Sequence, residues 1–452
     1  MQSKLVLPLL IIISLSLLTA EPQRYQEPDE RFDTDILLVV AHPDDETAIG
    51  SYLAKTVFDD ERTVSIVYTN RGSGGGNSTG VEQSLAMGAE REIEVRRAVA
   101  EFDITAVWFL EGRDTPGQDV FHSLGNLNQG AALEKLIRII RLTRPEVILT
   151  WLPHFVSGEN HGDHQASGVL ATEAFDLAGD PTTFPAQVTA PREYYDINNF
   201  NEGLRPWQAQ KLYYFSDADR ELNGFGPPFD INAVSSSQHK PYYQLAARLH
   251  VHHQTQGDVA DMAEQALATG NWQPMLDFIG RFHLIFGKSL VGGRSSDDVF
   301  HKIRPEPLEF KPATGYRPEK GKGVVISFGG AFNYYRQFWA AHDIEHLVKL
   351  VEPELMVSAG SYVHIPLLIT NHSAQEVVFS LKRNLPEGWA DLQQDMVYSV
   401  PSGNSYPLQT FYFAPDRITV YPDILRWEVF QEQKSLGKLE MKIDIREWTL
   451  PH

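Results

Sequence analysis

The side chains with the most chemistry in this chain of 452 residues sit in two short stretches. The first is Asp35 to Glu46, DILLVVAHPDDE, where an apolar run ends in His42, Pro43, Asp44, Asp45 and Glu46. The second is His161-Gly162-Asp163-His164, much later in the chain. Consecutive carboxylates repel one another unless a cation or hydrogen bonds offset their charge. A divalent metal would offset it. His42 and Asp45, three apart across a turn, can converge on one ion, and HGDH can supply a further ligand from a second loop. Two histidines and one carboxylate leave positions open for water and substrate, which is what a catalytic zinc site needs.

Both stretches follow segments that read as buried strands. Ile36 to Val40 is continuously apolar, as a parallel strand covered on both faces must be. Glu146 to Trp151, EVILTW, reads the same way ahead of HGDH. Two more strands are expected at Thr63 to Thr69 and Ala106 to Leu110, and a later one at Lys211 to Phe215. Helices are expected at Thr47 to Phe58, Glu82 to Phe102, Ala131 to Arg144 and Pro241 to Gln256. Strands alternating with helices predict right-handed βαβ units and a Rossmann-like, mostly parallel α/β sheet with helices on both faces. In such sheets ligands bind beyond the carboxyl ends of the strands. Asn70 to Gly80, NRGSGGGNSTG, also follows a strand; it lacks the ending of a P-loop and reads as a mobile loop near the site.

From Gly287 to Gly323 the helical signal fades into Gly, Pro, Lys and Ser. Beyond Pro353 the apolar period becomes two: Val363, Ile365, Leu367 and Ile369, then Val377, Phe379 and Leu381, then Leu425, Trp427 and Val429. Short alternating strands separated by turns predict a C-terminal β-sandwich, and Pro366 marks its strand as an edge. The expected divisions are a signal peptide at 1–20, a catalytic domain at 28–290, an irregular linker at 291–349 and an accessory β-sandwich at 350–452.

Formal net charge is −20, which argues against nucleic acid and anionic membranes as partners. The chain has no cysteine, so a disulfide framework, a thiolate metal site and a cysteine nucleophile are excluded, and a metal must be held by His, Asp or Glu. Lys4, the apolar core Leu5 to Leu18 and the small residues Thr19-Ala20 resemble a cleaved secretory signal. That core is short of the roughly 20 residues a membrane span needs. The expectation is a secreted or periplasmic protein with no stable membrane span after cleavage. Asn77-Ser78-Thr79 and Asn371-His372-Ser373 match the glycosylation pattern, which matters in a eukaryotic host.

AHPDDE followed by HGDH resembles the PIG-L/LmbE-like family of zinc-dependent sugar de-N-acetylases, which includes the N-acetylglucosaminyl-phosphatidylinositol deacetylases. The resemblance spans roughly residues 33 to 256. It takes in Arg91 and Glu94 on a helix, Asp114 at an acidic strand end, Trp207 ahead of KLYY, and His253-Gln254-Thr255-Gln256. It implies His42, Asp45 and His164 as ligands of Zn2+, with Fe2+ or another divalent metal suiting the same donors. It implies Asp44 as general base and His161 as the group that stabilises the oxyanion, protonated or donating. Arg91, Asp114 and Asp163 fall where the family holds substrate or orients its histidines, and Glu46 reads as an orienting residue. The implied reaction is removal of an N-acetyl group from an N-acetylglucosamine-type sugar or glycoconjugate. A different amide substrate, or carbohydrate binding without catalysis, are the competing expectations. His250, His252 and His253 offer a weaker second metal cluster, with a place at the pocket rim the stronger expectation, and His154 is a candidate for the pocket lining.

Overall fold

The computed structural model describes residues 29–154, 161–191, 201–216, 225–279, 283–317, 321–351 and 355–447. The expected signal segment and part of the loop ahead of HGDH lie outside them. The chain opens with β1 (Ile36–Val40), α1 (Asp45–Ala48), α2 (Gly50–Phe58), β2 (Val64–Tyr68), α3 (Leu85–Ala100) and β3 (Val107–Phe109). It continues through α4 (Val120–Asn126), α5 (Gln129–Thr143), β4 (Val147–Trp151), α6 (Gly162–Leu177), α7 (Pro185–Val188) and β5 (Lys211–Ser216). Then come α8 (Tyr242–His250), α9 (Val259–Thr269), α10 (Gln273–Ile279) and β6 (His283–Ser289).

These strands form one sheet in the order β3-β2-β1-β4-β5-β6, with β1 to β5 parallel and β6 antiparallel at the edge. Every residue of β1 is fully buried. Its alternate side chains feed two separate cores. Leu37 and Val39 pack with α4, α5 and α6; Ile36, Leu38 and Val40 pack with α2, α3 and α8. The other central strands divide in the same way, which is why their sequences show no polar alternation. At about 1.5–3 kcal/mol for each buried aliphatic side chain, β1 is fixed firmly at the centre. It pairs with β2 on one side and β4 on the other. The order of strands reverses between β1 and β4, so this is the switch point where a crevice opens at the carboxyl ends. The helix expected at Pro241 to Gln256 stops at His250, and residues 251–257 follow as turns.

The remainder is β7 (Val324–Phe328), α11 (Gly330–Ala341), β8 (Leu355–Ser358), β9 (Tyr362–Asn371), β10 (Val377–Asn384), β11 (Ala390–Asp391), β12 (Val397–Val400), β13 (Ser405–Phe413), β14 (Asp423–Gln431) and β15 (Lys434–Arg446). Two sheets, β12-β10-β14-β15-β8 and β11-β13-β9-β7, face each other over a core that includes Val363, Ile365, Leu367, Phe379, Leu425 and Trp427. The expected β-sandwich is present. The stretch expected as an irregular linker differs from that expectation: it supplies β7 to the sandwich and α11 to the α/β core, where Tyr335, Phe338 and Trp339 are buried. Pro366 does not mark an edge strand, because β9 lies between β13 and β7. The proline is tolerated because β7 has run out there: its last pair is Phe328 with Leu367, and the N–H of Gly329 then donates to the carbonyl of Pro366 at 2.8 Å. Asn371 is fully buried and its amide donates to the carbonyls of Gln375 and Val400, so it is no acceptor for a glycan. No helix among the described residues is long and apolar enough to cross a membrane.

Candidate metal centre

The crevice at the ends of β1 and β4 gathers the two chemical stretches. Asp45 opens α1 and folds back over the end of β1. Its Oδ2 accepts from the backbone N–H of Ala41 at 2.8 Å, that of His42 at 3.1 Å and the indole N–H of Trp151 at 2.8 Å. Three donors on one oxygen leave Oδ1 facing His164 Nε2 at 3.2 Å and His42 Nδ1 at 3.6 Å. His164 lies one turn into α6, its ring stacked on Trp151 with centroids 4.4 Å apart. Gly168 makes that approach possible, since a Cβ there would overlap the carbonyl oxygen of Trp151.

His42 is oriented from its other side. Its Nε2 lies 3.4 Å from Asp163 Oδ2 and 3.7 Å from Asp114 Oδ1. Asp163 Oδ2 also accepts from Asn70 Nδ2 at 3.1 Å and the N–H of Thr115 at 2.9 Å. A proton on Nε2 facing Asp163 leaves the lone pair of Nδ1 turned toward Asp45 and His164. The His161 ring is 4.8 Å from that of His42 and edge-on to it. His161 caps α6, its Nδ1 accepting from the N–H of Asp163 at 3.2 Å. A neutral ring that accepts at Nδ1 carries its hydrogen on Nε2.

Charge follows geometry. Burial pulls the pKa of His42 down, but Asp163 and Asp45 outweigh it and hold it well above the ordinary value. Burial pushes Asp45 up, but His164 and His42 outweigh it and hold the carboxyl well below the usual range. Asp44 goes the other way: burial, then the charge of Asp45, push it up to about 7, with His253 and His42 opposing. Two adjacent aspartates are thereby driven apart, one favoured in its charged form and one poised to exchange a proton near neutrality. His161 is pushed down to about 4 by burial and then by His42 and His164, which favours the neutral ring near neutral pH.

Asp44 has φ 124° and ψ −24°, a conformation that costs a non-glycine residue of order 1–3 kcal/mol and clusters at functional sites. Its neighbour Glu46 is completely buried, accepting from Tyr68 Oη at 2.8 Å and meeting His253 Nε2 at 2.6 Å. His250, His252 and His253 do not form a second metal cluster. His252 turns to Glu101 at 3.2 Å, His253 to Glu46, and His250 is buried behind them. His253 is therefore not a rim residue but part of the floor.

Arg91 and Asp114 meet the glycine-rich loop. Arg91 donates to the carbonyls of Gly72 at 2.7 Å and Gly76 at 2.8 Å and to Thr255 Oγ1 at 3.3 Å. Asp114 Oδ2 accepts from the N–H of Gly74 at 2.7 Å. The loop expected to be mobile is tied down at both. His154 is buried against Tyr335 and Trp339 of α11. Sequence reasoning missed Trp151, Asn70 and Tyr68, each a donor to a site carboxylate. The signal that could have found them is position: each is the last residue of a buried strand or lies just beyond it.

Two groups of side chains bring one ligand atom each within 4.8 Å of one another: His42, His161 and His164, and His42, Asp114 and Asp163. With Asp45 Oδ1 between two of these histidines, the donors fit a divalent cation. Imidazoles and an ionised carboxylate already converge, Asp45 Oδ2 being engaged by Trp151 and backbone, His42 Nε2 facing Asp163 and the His164 ring stacking on Trp151. A mostly parallel α/β sheet with histidines and carboxylates gathered at its switch point defines the chain's first domain as an α/β domain with a candidate metal centre. Residues 37–175 match the PIG-L family, GlcNAc-PI de-N-acetylase, and so form a PIG-L domain. The chain is similar to a 1D-myo-inositol 2-acetamido-2-deoxy-alpha-D-glucopyranoside deacetylase 1 of Frankia casuarinae, 30% identical over 194 residues, covering 39% of this chain and 57% of that protein. A deacetylase of the same description from Streptomyces scabiei is 29% identical over 207 residues, covering 42% and 57%. The chain thus spans a little over half the length of these relatives. Among solved structures, N,N'-diacetylchitobiose deacetylase from Pyrococcus horikoshii is similar at 18% identity and a TM-score of 0.37, covering 57% of this chain and 85% of that one.

Proposed function

We propose that this chain is an exported, zinc-dependent hydrolase that removes the acetyl group from an N-acetylglucosamine-type sugar or glycoconjugate. One arrangement carries the reading: His42, Asp45 and His164 converge at the switch point with Asp44, of raised pKa, directly beside them. The names of the similar deacetylases support the choice of substrate. Lys4 and the apolar core after it support export.

His42 through Nδ1, Asp45 through Oδ1 and His164 through Nε2 would hold the ion. When bound, a divalent ion polarises the amide oxygen and lowers the pKa of water from 15.7 to about 7. Asp44 takes a proton from the attacking water and returns one to the departing amine nitrogen as the C–N bond breaks and acetate leaves. His161 donates its Nε2–H to the amide oxygen as charge builds there, a donor of the kind whose loss costs roughly 100- to 1000-fold in rate. Asp163 keeps His42 in the required tautomer. Asp114, with Arg91 behind it holding the glycine-rich loop, forms the wall against which the sugar is placed.

Metal analysis should give about one ion per chain, with acetate released from an N-acetylhexosamine panel. His42→Ala and His164→Ala should each lose the ion. Full metal occupancy in both variants would sink the ligand assignment, and an inert panel at full loading would sink the substrate class. Because His42 holds its proton above its ordinary value of 6.5, an ion must displace that proton, so metal affinity should fall as the pH is lowered.

A further inference from the structure

The backbone of Asp44, at φ 124°, lies where L side chains are rarely found, and such a turn persists only when its surroundings over-determine it. The peptide bond between Pro43 and Asp44 is gripped at both ends. Its oxygen, on Pro43, accepts from Gln256 Nε2 at 2.5 Å. Its N–H, on Asp44, donates to Glu46 Oε2 at 3.0 Å. Glu46 is in turn held by Tyr68 Oη at 2.8 Å and by His253 Nε2 at 2.6 Å, and His253 Nδ1 lies 3.1 Å from Gln256 Nε2. The orientation of this peptide plane sets φ of Asp44, and with it the direction of the carboxylate. Both outer grips come from one short segment beyond α8. The same segment is anchored independently: Thr255 donates to Glu94 through its N–H at 2.9 Å and its hydroxyl at 2.8 Å.

We propose that His253 and Gln256 are positioning residues that aim the Asp44 carboxylate by clamping the Pro43–Asp44 peptide. The proposal rests on the reading of Asp44 as the proton-transfer group. Neither residue reaches the reacting atoms: Gln256 acts through the backbone, and His253 acts through Glu46 and through its charge on Asp44. A base displaced by a fraction of an ångström to an ångström loses up to about 100-fold in rate.

The test is a cycle on the full chain between Gln256→Ala and Asp44→Asn, with metal content, kcat and KM for acetate release read together. Gln256→Ala should keep its metal, lower kcat by roughly 10- to 100-fold and change KM by less than about 3-fold. In the Asp44→Asn background Gln256→Ala should slow the residual rate no further, since the clamp acts only through Asp44. A wild-type kcat in Gln256→Ala, or an equal loss in both backgrounds, would overturn the proposal. A crystal structure of Gln256→Ala gives a readout independent of turnover: Asp44 should leave positive φ, and an unchanged φ near 124° would overturn the proposal even if the rate falls. His253→Gln, which can still donate to Glu46, should retain more activity than His253→Ala. If the alanine variant does not fold, Gln256→Glu, which is isosteric and lacks the donor, takes its place. A wild-type rate in Asp44→Asn would instead sink the reading of Asp44, and the crystal structure would still decide whether Gln256 sets the turn.

Discussion

Both halves of the molecule bury polar side chains, but they use them differently. In the β-sandwich the bonds close on themselves. Asn371 satisfies the carbonyls of Gln375 and Val400, and Thr419 donates to Asp444 at 3.1 Å while accepting from the N–H of Ile445 at 2.8 Å. Each repairs a backbone group that the strand ladder leaves over. At the carboxyl ends of β1 and β4 the bonds close on one side only. Asp45 spends Oδ2 on three structural donors and turns Oδ1 to two imidazoles; Asp163 spends Oδ2 on Asn70 and Thr115 and offers it to His42 as well. Burial alone does not mark a site. What marks it is a set of buried groups, each fixed from behind, whose remaining atoms face a common point.

Four measurements test this contrast. The largest effect concerns the integrity of the sandwich. We propose it as a separate folding unit that begins near residue 321 rather than 350, because β7 pairs along β9 and buries Val324 and Ile326. A fragment of residues 321–452 should melt cooperatively with β-type circular dichroism, whereas 350–452 should melt far lower or not at all. Equal melts would return the boundary to 350. Next is the pair Asp44 and Asp45. Asp44→Asn should keep its metal and melting temperature while kcat falls by roughly 100-fold or more; Asp45→Asn should lose metal first, and activity with it. Normal turnover by fully loaded Asp44→Asn would remove the proton-transfer role while leaving the metal site standing. Smaller is the sandwich counterpart: Asn371→Ala orphans two buried carbonyls and should cost about 1–3 kcal/mol of stability with kcat unchanged. A fall in kcat at full folding would mean that the two kinds of buried polarity are coupled. Smallest is Trp151→Phe, which keeps a ring for His164 to stack on and deletes the donor to Asp45. Metal affinity should weaken by about 10-fold with little change in stability, and unaltered affinity would show that the backbone donors of Ala41 and His42 suffice to aim Asp45.

Much of this is legible in the sequence. Continuous apolar runs at Ile36 to Val40 and Glu146 to Trp151 identified central parallel strands, and the polar clusters after them identified the crevice. Period-two alternation identified the sandwich. What stayed hidden depends on contacts between residues far apart in sequence. Trp151 reaches Asp45 across 106 positions and Asn70 reaches Asp163 across 93; neither residue carries a local pattern that foretells its partner. Helix α8 stops at His250 while the sequence reads on helically, because the turns beyond it are shaped by Glu46 and Glu94 rather than by local propensity. Pro366 misled for a related reason: a proline excludes a hydrogen bond at one position, and β7 ends one residue short of that position. β7 and α11 were hidden because the glycines and prolines around them resemble a linker, and only the two cores they enter show otherwise.

The junction between β7 and α11 has a mechanical consequence. Gly329 is bonded to Pro366 and Gly330, at φ 53°, leaves no slack before the helix begins. On one side Ile326 is anchored among the sandwich strands; on the other Tyr335, Phe338 and Trp339 are anchored beside α6. Tyr335 Oη donates to Gln165 at 2.6 Å, immediately after His164. Tension applied to the C-terminal strands would therefore travel through a short stiff coupling into the first turn of α6, where His161 and His164 reside, instead of being absorbed by a tether. A load on the sandwich would be felt at His161 and His164 as strain.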